Sequence, residues 1–523
     1  MSGDSSLLVE KLWRLKRRID KGACPGVEFV HLNTLLREPA YRADVLRRVE
    51  QFGNADLKAL AREITLNDDG QPLMVKDHTN RQASAQEEEK QGKGWFRRNA
   101  LFALPVLAVA LVAAGFTAFE NRAERIDSDI VLDTTWKTGK RYILEKTVYV
   151  ENAHLTIEPG AVIEGEDGSA LVVTPSAKLF ARGKADSPVV FTSARPEGER
   201  ARGDWGGVVL LGNAPVNEPQ ASIEGLPENE TRGSFGGTNA SHSCGVVEYT
   251  RIEFAGYEVY KDNELNGLTL GGCGNNTIVR NVQVHRALDD GIEMFGGTVD
   301  LKNIVITGAG DDSVDWDWGW RGNVQFAVIQ QYPDAGDNGF EGDNNGSNHE
   351  ATPRSEPSFY NVTMVGAGNT QKKHRAMLLR EGSGGHFHNM LIDSYGIEAL
   401  DTRDDALSLT NRDHLSFSNN ILANLGHLGQ VEPEQNDDDF AFDEQAWMAE
   451  PANRNVARVE SALFPNAKAS VNPDFTPRVP LKQMKATRPP QSEFFDESAD
   501  FVGAISPVAS GSWLDGWTAF PES

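Results

Sequence analysis

The sequence predicts a mainly β protein, built as a parallel β-helix, and three observations carry that prediction. One acidic phrase is written three times, as Leu288-Asp-Asp-Gly-Ile-Glu293, Gly310-Asp-Asp-Ser-Val-Asp315 and Gly336-Asp-Asn-Gly-Phe-Glu341. Each copy follows a short run of alternating apolar residues (Val282 and Val284; Ile304 and Ile306; Val324, Phe326 and Val328), which reads as a half-buried strand. The copies begin 22 and then 26 residues apart, the spacing of solenoid coils that differ only in loop length. Successive strands then stack about 4.8 Å apart, so that equivalent side chains become neighbours.

Taken from its first residue, the chain opens with Leu8, Leu12, Leu15 and Ile19 at helical spacing, with Lys16, Arg17 and Arg18 between them. Ser5 to Asp20 therefore reads as an amphipathic helix. After Pro25-Gly26, the apolar positions Val45, Leu46, Val49 and Phe52, then Leu57, Leu60 and Ile64, predict two more short helices. The expectation is a small α-helical domain over 1–66, with Cys24 as a buried small residue and a cytoplasmic protein partner for its helices. A basic helix lying on the membrane surface is the rival reading. Residues 67–98 are polar and aperiodic, as in a linker. Ala100 to Phe119 then runs 20 residues without a charge, enough to cross a bilayer as one helix within 99–120. Lys93, Arg97 and Arg98 precede it, whereas the charges after it balance; the positive-inside rule places the N-terminus in the cytoplasm and the rest outside.

The outer part divides into a β-helix over 128–430 and a C-terminal arm over 431–523, where the period fails. Leu155-Thr-Ile-Glu-Pro-Gly-Ala-Val-Ile-Glu-Gly165 reads as strand, tight turn and strand; further strands are predicted at Leu171 to Val173 and Val189 to Phe191. Cys244 and Cys273 each open a Cys-Gly followed by a strand. Read as equivalent positions one coil apart, they lie within disulfide range, and a bridge needs the oxidising compartment that the charges indicate. Trp316, Trp318 and Trp320 alternate with Asp315, Asp317 and Gly319, which puts three indoles on one face: a platform for stacking sugars, or a patch covered by the arm.

If Asp289, Asp311 and Asp337 stack, and Glu293, Asp315 and Glu341 likewise, two columns of carboxylates result, with Glu398 continuing the acidic run. Their repulsion has three remedies: a bound cation, raised carboxylate pKa values, or capping of the coil's own turn amides. Calcium is the cation that suits such ligands, with Asp289, Glu293, Asp311, Asp315, Asp337, Glu341 and Asp343 as its candidates. A catalytic reading would use Asp289, Asp290, Asp311, Asp312 and Asp315, with Arg286, Arg321 or Arg380 as electrostatic partners. His285, His349, His374, His386, His388 and His414 are scattered, without the spacing of a zinc site.

Several long motifs from residue 130 onward carry a resemblance. Gly203-Asp-Trp-Gly-Gly-Val-Val-Leu-Leu-Gly-Asn-Ala214, Asn266-Gly-Leu-Thr-Leu-Gly-Gly272, the 281–343 stretch and Ser512-Trp-Leu-Asp-Gly-Trp-Thr-Ala-Phe520 resemble a family of bacterial secreted or surface proteins. The resemblance implies a right-handed, pectin-lyase-like parallel β-helix, and with the charged flanks a single-pass protein of the bacterial inner membrane whose large domain is periplasmic or extracellular. The chain lacks the Gly-His-Gly and Arg-Ile-Lys triplets of pectin hydrolases, and Gly385-His-Phe387 does not replace them. The expected role is therefore a binding or structural module for a glycan or protein partner, with a membrane-anchored carbohydrate-active enzyme as the alternative. Net charge is −25; up to Arg98 it is +3, leaving −28 for the remainder, which argues against nucleic acid as a partner of the large domain.

Overall fold

The repeated phrases do stack. The computed structural model describes residues 39–68, 123–226, 230–260, 263–404, 406–429, 442–459, 463–464, 466–478, 486–508 and 511–523, with scattered positions between 8 and 35. Among these residues seventeen strands form one sheet and nine form a second, paired almost throughout in parallel. Ile292 pairs with Val314 and Val314 with Phe340, so the steps of 22 and 26 residues read from the text are the true register. The next step is longer, Phe340 to Met377, because the loop that follows Gly342 is inserted without shifting the ladder. Coils continue to Val459, past the boundary expected at 430, since Val456–Val459 still pairs in parallel with Ile421–Ala423.

Each central coil consists of a short strand in the second sheet and a long, bent strand in the first. The long strands Ile278–His285, Asp300–Thr307, Asn323–Gln330 and Ser358–Val365 bend at one residue in left-handed conformation. These residues, Asn281, Asn303, Phe326 and Asn361, belong to a column in register that also includes Tyr249, Asn389 and Asn419, all with φ between 45° and 63°. Asparagine predominates because its short side chain tolerates this region better than other non-glycine residues. The interior is filled by stacked apolar side chains and by aromatics, Trp316, Phe340, Phe359 and Phe387, whose rings lie 4.6 to 6.5 Å apart. Gly342 makes room for the indole: a Cβ there would fall 2.2 Å from Trp316 Cζ2.

The C-terminal arm lies against the outside of the first sheet. Val305, Val328, Val365, Leu391 and Ile421 point outward and are covered by Leu463, Phe475, Val502, Ile505 and Trp517. Side-chain amides hold its backbone as a neighbouring strand would. Gln283 donates to Ala519 O (2.7 Å) and accepts from Ala519 N (2.9 Å), and Asn389 treats Thr487 in the same way, at 2.7 Å both times.

At the N-terminus, helices Pro39–Phe52 and Ala55–Asn67 form as expected, the second capped by Asn54, whose Oδ1 accepts from Leu57 N at 2.9 Å. Leu8, Leu12, Leu15, Ile19 and Cys24 are buried with their apolar faces. This unit touches the β-helix: Lys16 Nζ lies 3.3 Å from Glu264 Oε1, and Leu288 packs against the helical cluster. The membrane span expected over 99–120, nearly all of the linker and the Asp437-Asp-Asp439 run lie outside the described residues. Among the described residues no helix is long and apolar enough to cross a membrane.

Candidate functional site: an acidic face on the second sheet

Alternation along Ile292–Phe295 and Val314–Asp317 turns Ile292, Met294, Val314 and Trp316 into the core and presents Glu293, Asp315 and Asp317 outward. The register then stacks Glu293 on Asp315 and Asp315 on Glu341. The turn that leads into each strand adds Asp290 and Asp312. Asp290 Oδ1 accepts from Asp312 N at 2.8 Å, and Asp312 Oδ1 from Asn338 N at 2.5 Å, so these two cap the turn of the following coil. The third remedy for repulsion thus operates at Asp290 and Asp312, whereas in the column of Glu293, Asp315 and Glu341 the Asp315 carboxylate accepts from the amide of its own neighbour, Trp316 N, at 2.5 Å.

Oxygens of Asp290, Glu293 and Asp315 converge within 4.8 Å, as do those of Asp312, Asp315 and Glu341, and Asp315 belongs to both triplets. Burial, and then the neighbouring carboxylates, hold Asp290, Glu293, Asp312 and Asp315 well above the usual carboxylate range. Asp317 is pushed up to about 8 by burial and Asp343. Glu341 rises to about 7 through burial, against the opposing pull of Arg380. Asn266 donates to Glu293 Oε2 at 2.5 Å, and its own Oδ1 is buried with no hydrogen-bond partner. At the far end arginines supply the compensating charge: Arg380 Nη2 lies 2.5 Å from Asp343 Oδ2 and also bonds Glu341, while Arg375 Nε lies 2.7 Å from Glu398 Oε1.

Several expectations need correction. Asp289, Asp311 and Asp337 do stack through the turn backbone, Asp337 N donating to Asp311 O at 2.8 Å, but they form the partly exposed rim rather than the convergent triplets. Asp343 is committed to Arg380. Arg286 lies over Tyr332 beside Asp334, and Arg321 is exposed on the turn after Trp320, so Arg380 alone of the three arginines joins the acidic face. Glu398 does not extend the Glu293 column, which passes through Leu378 to Asp401; it pairs instead with Arg375, which is in register with Asn338.

The tryptophans are no platform. Trp316 and Trp320 are fully buried inside the coil, and Trp320 Nε1 donates to Val299 O at 3.1 Å. Trp318, turned outward by a φ of 51°, packs on Phe235 and Phe295 under the loop after Leu211, not under the arm. The cysteines are bridged, with Cα atoms 5.8 Å apart, though not from equivalent positions. Val246 pairs with Ile278, so the register partner of Cys244 is Asn276, and Cys273 reaches it from three residues earlier in the turn.

These features define a class: a parallel β-helix with part of one outer face covered by its own chain and another face lined by stacked acids. Residues 128–461 match the model of the pectate-lyase-like β-helix domain, and the chain belongs to that family. No curated protein and no solved structure matches the chain.

Proposed function

We propose that the protein is a membrane-anchored envelope protein whose β-helix is a binding module, with a divalent cation, calcium by its ligand chemistry, held on the acidic face. The observation that carries this reading is the pair of oxygen triplets sharing Asp315. Hard oxygen donors at such spacing suit calcium, and the bare Oδ1 of Asn266 offers one more. A cation removes the repulsion along the column and leaves positions open to an acidic or hydroxyl-rich partner, a glycan or the surface of another envelope protein. Melting with calcium and with chelator tests the ion. A higher melting temperature in calcium, lost in Asp315→Asn, is expected; identical curves in both would sink the cation. Retention on a glycan panel in calcium but not in chelator is the expected mark of a bridged ligand.

The uncharged run from Ala100 to Phe119 supports the anchor, with the N-terminal helices in the cytoplasm. That topology excludes the contact between Lys16 and Glu264, so the two arrangements are exclusive. A cross-link between Lys16→Cys and Glu264→Cys in intact cells would overturn it.

One arrangement favours a second reading, a carbohydrate-active enzyme. Glu341, partly exposed, sits between Asp315 and the cation Arg380, as an acid beside a charged anchor for substrate. Turnover of a glycan panel, abolished in Asp312→Asn and Asp315→Asn, is its test.

A further inference from the structure

A second cluster lies on the first sheet, outside the acidic face. Alternation in Gly385–His388 and Leu415–Ser418 turns Phe387, Leu415 and Phe417 into the core and leaves His386, His388, Ser416 and Ser418 outward. The register places His386 directly on Ser416 and His388 on Ser418. Ser416 Oγ lies 2.8 Å from His386 Nδ1, and the other ring nitrogen of His386, Nε2, lies 3.1 Å from Glu356 Oε1. The second oxygen of Glu356 is 2.8 Å from His414 Nδ1. Ser416 Oγ is also 3.5 Å from His388 Nε2, while His388 Nδ1 is 2.8 Å from Ser418 Oγ.

We propose that Ser416 is a nucleophile with His386 as its base and Glu356 as the positioning residue, giving this face a hydrolytic activity toward carboxylic esters. Nucleophile, base and orienting carboxylate stand within hydrogen-bond reach of one another, which is the geometric requirement. Burial pushes the Glu356 carboxyl up, but the bonds from His386 and His414 outweigh it and hold the group below its ordinary range, as an anion. An anionic Glu356 accepts from His386 Nε2–H, which leaves Nδ1 bare to accept the Ser416 proton. Burial takes His388 down to about 4, so its ring is neutral at pH 7. Its ring lies beside the nucleophile, Nε2 at 3.5 Å from Ser416 Oγ and Nδ1 at 2.8 Å from Ser418 Oγ, and forms an uncharged wall of the site. The side chains of Glu356, His386 and His414 are 26 to 29% exposed, so an ester can reach them.

In the reaction, Ser416 Oγ bonds to the ester carbonyl carbon while its proton passes to His386 Nδ1, and the carbonyl oxygen takes the negative charge. Collapse breaks the bond to the alkoxy group, which leaves as the alcohol with the proton from His386. Water, deprotonated by His386, then attacks the acyl group on Ser416; the carboxylic acid departs and the serine is restored.

The test uses the full chain in detergent with p-nitrophenyl acetate and a fluorophosphonate probe. The probe is expected on Ser416 by peptide mass mapping, and hydrolysis is expected to fall about 100-fold or more in Ser416→Ala and His386→Ala. Glu356→Gln should lower kcat with KM unchanged, and Glu356→Asp should restore part of it, a split that a merely structural carboxylate would not give. A wild-type chain that takes no probe at Ser416, or hydrolysis unchanged in a folded Ser416→Ala variant, overturns the proposal. Neither result bears on the acidic face, which shares none of these residues.

Discussion

The same coils present two outer faces that solve opposite problems. On the first sheet, outward valines and leucines are dried by the arm, and side-chain amides among them bind its backbone: Gln325 donates to Asp496 O (3.1 Å) and accepts from Asp496 N (2.7 Å), and Gln283 and Asn389 bond Ala519 and Thr487 in the same way. On the second sheet the register stacks Glu293, Asp315 and Glu341, and arginine arrives only at the last of these. Stacking therefore multiplies whatever a coil carries, whether attraction or repulsion. A face that gives up stability in this way is where a ligand is expected, since departures from local consistency concentrate at functional sites.

Four experiments break or sharpen that contrast. The largest effect belongs to the core that both faces share: Trp316→Ala removes a buried indole from an aromatic stack and should cost about 3–5 kcal/mol in urea unfolding. Replacing both bridged cysteines, Cys244→Ser with Cys273→Ser, should cost about 2–4 kcal/mol by calorimetry while leaving both faces in place. Asn389→Ala strips the arm of a donor and an acceptor at Thr487; a loss of about 1–3 kcal/mol is expected, with faster proteolytic release of the arm. The smallest effect is the most discriminating, because its sign is reversed. In chelator, Asp315→Asn should raise stability by about 1 kcal/mol or less by relieving the column. If it destabilises as Asn389→Ala does, the two faces are alike after all.

Much of this architecture was legible in the text because period and register are the same fact: once the phrases repeat, Glu293, Asp315 and Glu341 have to meet. What escaped has physical reasons. Alternation correctly separated the tryptophans from Asp315 and Asp317, but it does not say which side is the interior, and the left-handed backbone at Trp318 breaks the pattern midway. Asp290 and Asp312 looked like turn residues with a catalytic option; they are turn residues whose carboxylates also enter the triplets. Arg380 could not be preferred over Arg286 and Arg321 by spacing, because the inserted loop after Gly342 lengthens its coil. His386 and Ser416, 30 residues apart, become partners only when the register is known; the recurrence of Ser-x-Ser in Leu415–Ser418 opposite His-x-His in Gly385–His388 was the available signal.

The column of left-handed bends has a consequence for how such a molecule can change. Because the corner falls at the same point in seven successive turns of the spiral, and extra residues are taken up between strands, one full turn can be spliced in or cut out between two asparagines while its neighbours keep their partners. The unit of lengthening is thus a whole storey rather than a residue, and each added storey carries the charged stripe one rung further along the wall.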